Sequence, residues 1–363
     1  MEKKGPKRGK LEGKDLSKDE EERAAKLHKE ATIIEGCIMW ENLENPEYLD
    51  QVRRGGITAA NVTVAHWLHD FTAATKRVHH YKELAEKNPD LLHVRRVEDI
   101  QEAKREGKLG VIIGFQDSKP IEDDLCFLRT FYDNGVRIIQ LTYNAQNYVG
   151  TGCCELSYGK LSYFGREVVE EMNRIGMVID LAHCCDETTI DAIECSKDPV
   201  IISHSGAYSI CNAYGRNKKD EHIGALAKKG GIIGITFFPS LVKRDPRTWE
   251  VQKSTVEDVL DHIDYVVSLV GVDYVGWGSD MFGGFLDQKY TPPYSALRWW
   301  RPKRPDIYGR GPTEVFDPFP EGLDRHHKLL NLTRGLVSRG YSDAEIKKIL
   351  GGNFIRVFER VWK

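Results

Sequence analysis

Short apolar runs alternate along the chain with longer stretches in which apolar residues recur every three to four positions, a pattern that predicts strands alternating with amphipathic helices. The strands predicted are Thr32 to Cys37, Ile57 to Val64, Gly110 to Phe115, Val136 to Thr142, Met177 to Leu181, Val200 to Ser203, Ile232 to Thr236 and Tyr274 to Trp277. Helices are expected at Phe71 to Glu86, Val97 to Glu106, Ile121 to Asn134, Gly165 to Ile175, Glu187 to Ser196, Glu221 to Lys229 and Val256 to Leu269. Eight such cycles predict a closed parallel barrel, an α/β protein of the (β/α)8 TIM type. An open doubly wound sheet needs fewer strands and a glycine-rich phosphate turn after the first, and no such turn follows Cys37.

The barrel is expected to occupy residues 31–363 as one domain, behind a flexible, charged segment at 1–30. A proline-rich aromatic and basic stretch at about 285–322, holding Trp299, Trp300, Arg301, Lys303 and Arg304, reads as a loop insert. It would line the mouth of the barrel or form a subunit interface, where tryptophan and arginine are enriched. Ser342 and Glu345 form a capping-box pattern, and Gly351 with Gly352 separates two short helices at the end of the chain.

Composition narrows the function classes. Of 363 residues, 40% are hydrophobic and 29% charged, as in an ordinary globular protein, and the net charge of -3 provides no field for nucleic acid or an anionic membrane. No apolar run is long enough to span a bilayer or to act as a secretory signal, so a cytoplasmic protein is expected. The eight cysteines are then expected as reduced thiols. The expected partners are a small molecule and further copies of the chain, as a homodimer or larger homo-oligomer.

In a barrel of this kind the reactive groups follow the strands, at their C-terminal ends. Strand ends supply Cys37, Gln116 with Asp117, Tyr143 with Asn144, His183, His204 and Asp280. Histidines on adjacent strands, in DLAH and ISHS, can share one divalent ion, and a nearby carboxylate can act as base toward water. Zinc is the first expectation. Asp280 reads as ligand or base, or as a plain helix N-cap.

The segments GREVVEEMNRIGMVIDLAH, PVIISHSGAYSIC followed by GRN, GWGSD and RGYSDAEIKKILGGNFIRVF resemble the membrane (renal) dipeptidase family, a branch of the amidohydrolase-type barrels, from about residue 30 to the C-terminus. That resemblance implies a (β/α)8 barrel whose members commonly bind two zinc ions and hydrolyse dipeptides. It matches His183 and His204 to the histidines of the second metal, Asp280 to the proton shuttle and Arg216 to the arginine that binds the substrate carboxylate.

The other half of the family's pattern is replaced. Its strand-one His-x-Asp reads Cys37-Ile38-Met39, its bridging glutamate is Gln116, its strand-four histidine is Tyr143, and DFDG reads DMFG with Phe282 for the second aspartate. The expectation is therefore one zinc ion per chain on Cys37, His183 and His204, because a thiolate is a good zinc ligand. Free thiol catalysis and simple packing are the other readings of Cys37, and Cys184 and Cys185 are further soft ligands. Asp280 would be the general base, Tyr143 a second catalytic or substrate-facing group, and Arg216 with Gln116 the substrate contacts. The activity expected is hydrolysis of an amide or related bond in a small carboxylate-bearing substrate. A non-hydrolytic decarboxylase, lyase or isomerase, or a catalytically silent relative, is the alternative.

Overall fold

A computed structural model describes residues 16–39, 43–281, 299–311 and 318–363. The apolar runs become strands buried on both faces, as parallel strands covered by helices must be. They are β1 Ile34–Met39, β2 Ala59–Ala65, β3 Leu91–His93, β4 Leu109–Phe115, β5 Val136–Gln140, β6 Val178–Asp180, β7 Ile201–Ser205, β8 Ile232–Ile235 and β9 Val275–Trp277. All pairings are parallel, in the order β1-β2-β4-β5-β6-β7-β8-β9. The ring is closed beyond β9, where Asp280 N–H donates to Cys37 O at 3.2 Å and Ile38 bridges Met281. This is the expected (β/α)8 barrel.

β3 is an extra strand that the sequence pattern does not announce. It pairs with the first residues of β4, Leu91 opposite Leu109 and His93 opposite Val111. Three residues are too few to show a period of two. The helix expected at Ile121 to Asn134 is also shorter, Cys126–Asp133, because Glu122 takes a positive φ of 50° and interrupts it. The segment 1–30, expected to be flexible, contains a helix over Lys18–Glu30 with a Ser17/Glu20 capping box and buried Ala24 and Leu27. Most of the 285–322 insert, and Phe282, lie outside the described residues.

Ile34, Ala59, Ile112, Ile138, Val178, Ile201 and Ile232 form one buried cluster with Phe354, Val357, Phe358 and Val361 of the C-terminal helix Asn353–Val361. The helix joins a cluster drawn from the starts to the midpoints of seven strands, which places it at the end of the barrel where the strands start. The strand ends are left as the open mouth.

On the β1/β9 side the barrel is drawn in tightly. A Cβ on Gly36, Gly234 or Gly278 would lie 2.5, 2.1 or 2.1 Å from the Ser203 carbonyl oxygen. Backbone cannot yield as a side-chain tip can. Gly36→Ala should therefore cost at least about 1–3 kcal/mol of stability, read from the denaturant midpoint. A midpoint within error of wild type would show that this seam is looser than described.

Candidate metal and catalytic site

Cys37 sits near the end of β1, fully buried. The Gln116 side-chain amide donates to its sulfur at 2.7 Å, and the Thr63 hydroxyl lies 3.8 Å away. Burial, then Asp280 and Glu35, push its thiol well above the usual range, so a thiolate here needs a cation beside it. Across the mouth, one ligand atom each from Cys37, His204 of β7 and Asp280 lie within 4.8 Å of one another.

The hydrogen bonds around the histidines fix which nitrogen is free. The Asn144 amide NH2 donates to Tyr308 Oη at 2.6 Å, which leaves Asn144 Oδ1 to accept from His183 Nδ1–H at 2.8 Å. His204 Nδ1–H donates to Ser203 Oγ at 2.7 Å, and that hydroxyl donates to Asp180 Oδ2 at 2.5 Å. Both Nε2 lone pairs therefore face the mouth, 3.1 Å apart. Burial and the Arg216 charge hold both rings neutral, the form that binds metal.

Arg216 separates the roles of the two rings. Its Nη2 donates to His183 Nε2 at 3.0 Å, while Nη1 donates to Ala182 O at 3.0 Å and His204 O at 2.7 Å. The His183 lone pair is thus taken up by a guanidinium, and His183 stands outside the tight Cys37, His204 and Asp280 group. Imidazole, thiol and carboxyl lone pairs converging on one point repel each other unless a proton or a cation lies between them. The set fits one borderline-soft divalent ion such as zinc.

Asp280 follows β9 in a left-handed conformation, φ 54°, which aspartate tolerates better than most residues and which marks a position held for a purpose. Burial raises its carboxyl to about 7, with Arg216 pulling the other way. It is poised to take or release a proton near neutrality. Tyr143 is packed between two rings: Trp67 at 4.3 Å and 10°, and His183 at 4.1 Å and 20°. Its phenol is pushed well up by burial and by Asp280.

The strand-end rule thus brings Cys37, His204 and Asp280 together with Gln116, Tyr143, His183 and Arg216 around them. Gln116 supports the Cys37 sulfur. Cys184 and Cys185 stay outside: the Cys184 sulfur accepts from the Thr142 hydroxyl at 3.3 Å, and Cys185 lies against Thr188 and Gly159. In the insert, Arg304 is engaged with Asp306 and with the Cys153 and Glu155 carbonyls, and Arg301 with the Tyr308 and Gly309 carbonyls. Arg304 thus pins the insert to the barrel, while Arg301 ties the insert to itself.

Sequence reading passed over Trp67, Tyr308, Ser203 and Asp180. Trp67 lies two residues past the end of β2, so the strand-end rule applied to that strand would have led to it. For Tyr308, carried by the insert, no sequence signal exists.

Comparison with known proteins agrees with this architecture. The family model described as membrane dipeptidase (peptidase family M19) matches residues 22–289 and 313–363. The chain is 33% identical over 269 residues to dipeptidase tcpJ of Claviceps purpurea, covering 73% of this chain and 54% of that protein. The chain spans about half the length of the curated relatives it matches. An amidohydrolase from Pseudomonas aeruginosa superposes with a TM-score of 0.81 at 35% identity, over 93% of this chain and 99% of that one. The probable dipeptidase PvdM from the same organism shares the fold at 21% identity, with a TM-score of 0.78 over 95% of this chain and 99% of that one.

Proposed function

The chain belongs to the membrane dipeptidase family, and we propose that it is a metallohydrolase that works with a single metal ion on an amide or related bond of a small, carboxylate-bearing substrate. The observation that carries this reading is the convergence of Cys37, His204 and Asp280 within 4.8 Å while Arg216 occupies His183 Nε2. Cys37 and His204 would hold zinc, with Asp280 close enough to share in binding. When bound, the ion supplies a Lewis acid for the scissile carbonyl.

The chain's own residues do the rest. Asp280 takes a proton from the attacking water and returns it to the leaving group, which suits a carboxyl near 7. Arg216 has two N–H groups beyond the three engaged among the described residues, and they point to an anchor for the substrate carboxylate. Tyr143, braced by Trp67, forms one wall of the mouth and excludes water from it. Asn144 and the Ser203/Asp180 pair keep both Nε2 atoms free of hydrogen.

Zinc analysis of protein purified without added metal, then titrated, should give at most one equivalent per chain. Unmodified dipeptides should be poor substrates of the same preparation. Two equivalents held at low-micromolar zinc, or efficient dipeptide turnover, would overturn the one-metal reading.

A further inference from the structure

We propose that Glu35 is a positioning residue: its buried carboxyl group joins the two strand ends that carry Cys37 and Asp280 and so sets the spacing of the site. Glu35 is wholly enclosed, and its Oε1 accepts from Cys37 N–H at 3.1 Å and from Ser279 N–H at 2.7 Å. Those two residues lie on opposite sides of the β1/β9 seam, one of them Cys37 itself and the other adjacent to Asp280. Among the described residues the backbone along this seam supplies the Asp280 N–H to Cys37 O hydrogen bond and the Ile38/Met281 bridge. One carboxyl oxygen of Glu35 thus adds two hydrogen bonds to a short ladder.

The rest of the group is held from behind. Among the described residues Glu35 Oε2 has no hydrogen-bond partner, and it lies 3.7 Å from Nε2 of the buried His326. That same nitrogen is 3.4 Å from Ser279 Oγ, which accepts from Met281 N–H at 3.2 Å. Tyr48 closes the group, its ring edge-on to His326 at 5.3 Å and its hydroxyl donating to Met281 O at 3.4 Å. Apart from the Tyr48/His326 ring contact, these contacts end on the residues flanking Asp280 or on β1. A side chain that only filled space would not need both backbone donors on one oxygen.

The proposal rests on the reading of Cys37, His204 and Asp280 as the metal site, and its test has a readout that does not. Glu35→Met keeps the volume and removes the acceptor, whereas Glu35→Gln keeps an acceptor oxygen for both N–H groups. In metal-free protein, alkylation by iodoacetamide is followed peptide by peptide by mass spectrometry. Glu35→Met should raise the rate at Cys37 about tenfold or more, with the equally buried Cys153 and Cys184 unchanged, and Glu35→Gln should stay near wild type. Zinc affinity should fall about 10- to 100-fold in Glu35→Met and recover in Glu35→Gln.

If the methionine variant does not fold, Glu35→Ala repeats the measurement. A rate at Cys37 that is unchanged, or that rises equally at all three cysteines, overturns the positioning role even if wild type binds zinc. A rise confined to Cys37 in a protein that holds no zinc upholds the positioning role and sinks the metal reading instead.

Discussion

Asp280→Asn should lower kcat/KM by about 10²- to 10⁴-fold, the range lost when a general base is removed, while zinc content stays near that of wild type. The substitution keeps the size of the side chain and its left-handed backbone, since asparagine tolerates φ near 54° as aspartate does. What it removes is the carboxylate that takes the proton. The pH dependence follows from the same group. Burial, opposed by the Arg216 charge, raises the Asp280 carboxyl to about 7, and a bound cation would pull it back down. A base must be ionised to act, so kcat/KM should rise with pH and level off at or below about 7. In Asp280→Asn that rising limb should be gone. If zinc is lost together with activity, Asp280 is a ligand first; if activity is unchanged, it is neither ligand nor base.

Cys37→Ser should have the second largest effect, on metal content before anything else. A hydroxyl of nearly the same size is a far weaker zinc ligand than a thiolate, so affinity should fall by more than the roughly 10- to 100-fold that losing a merely supporting residue costs. The fold should lose little, about 1 kcal/mol, because the Gln116 amide can donate to an oxygen as it does to sulfur. His204→Ala is the matched control, since His204 shares the 4.8 Å group with Cys37. His183→Ala should retain most of the zinc, because Arg216 already occupies that nitrogen. Zinc retained in Cys37→Ser and lost in His204→Ala would reduce Cys37 to a packing residue.

These outcomes bear on the replaced half of the family's pattern. Where the family has a charged bridging glutamate, the chain has Gln116, and its amide turns toward the Cys37 sulfur. That change removes a negative charge where a second ion would lie; His183 and Arg216 both match the family's pattern, and the guanidinium stands against the imidazole here. Among the described residues no helix is long and apolar enough to cross a membrane.

Eight of the barrel strands were legible because a parallel strand buried on both faces must be apolar throughout, as LGVIIGF and IIGI are. The site histidines and Asp280 were legible for a related reason: polar residues directly after such runs have nowhere to go but the mouth. β3 was not, since three residues carry no periodicity. Neither was the Lys18–Glu30 helix, whose charge-rich sequence hides the two buried positions that hold it to the barrel.

The sequence by itself determined the barrel, its family and the candidate residues, because these depend on local apolar pattern and on motifs that are contiguous in the chain. Only the tertiary structure decided which residues act together. The Arg216 contact with His183, the reach of Tyr308 from the insert to Asn144, and the bridge of Glu35 across the seam to Ser279 each join segments far apart in sequence. Such contacts are set by strand register and barrel closure, and one strand's sequence cannot encode the distance to another.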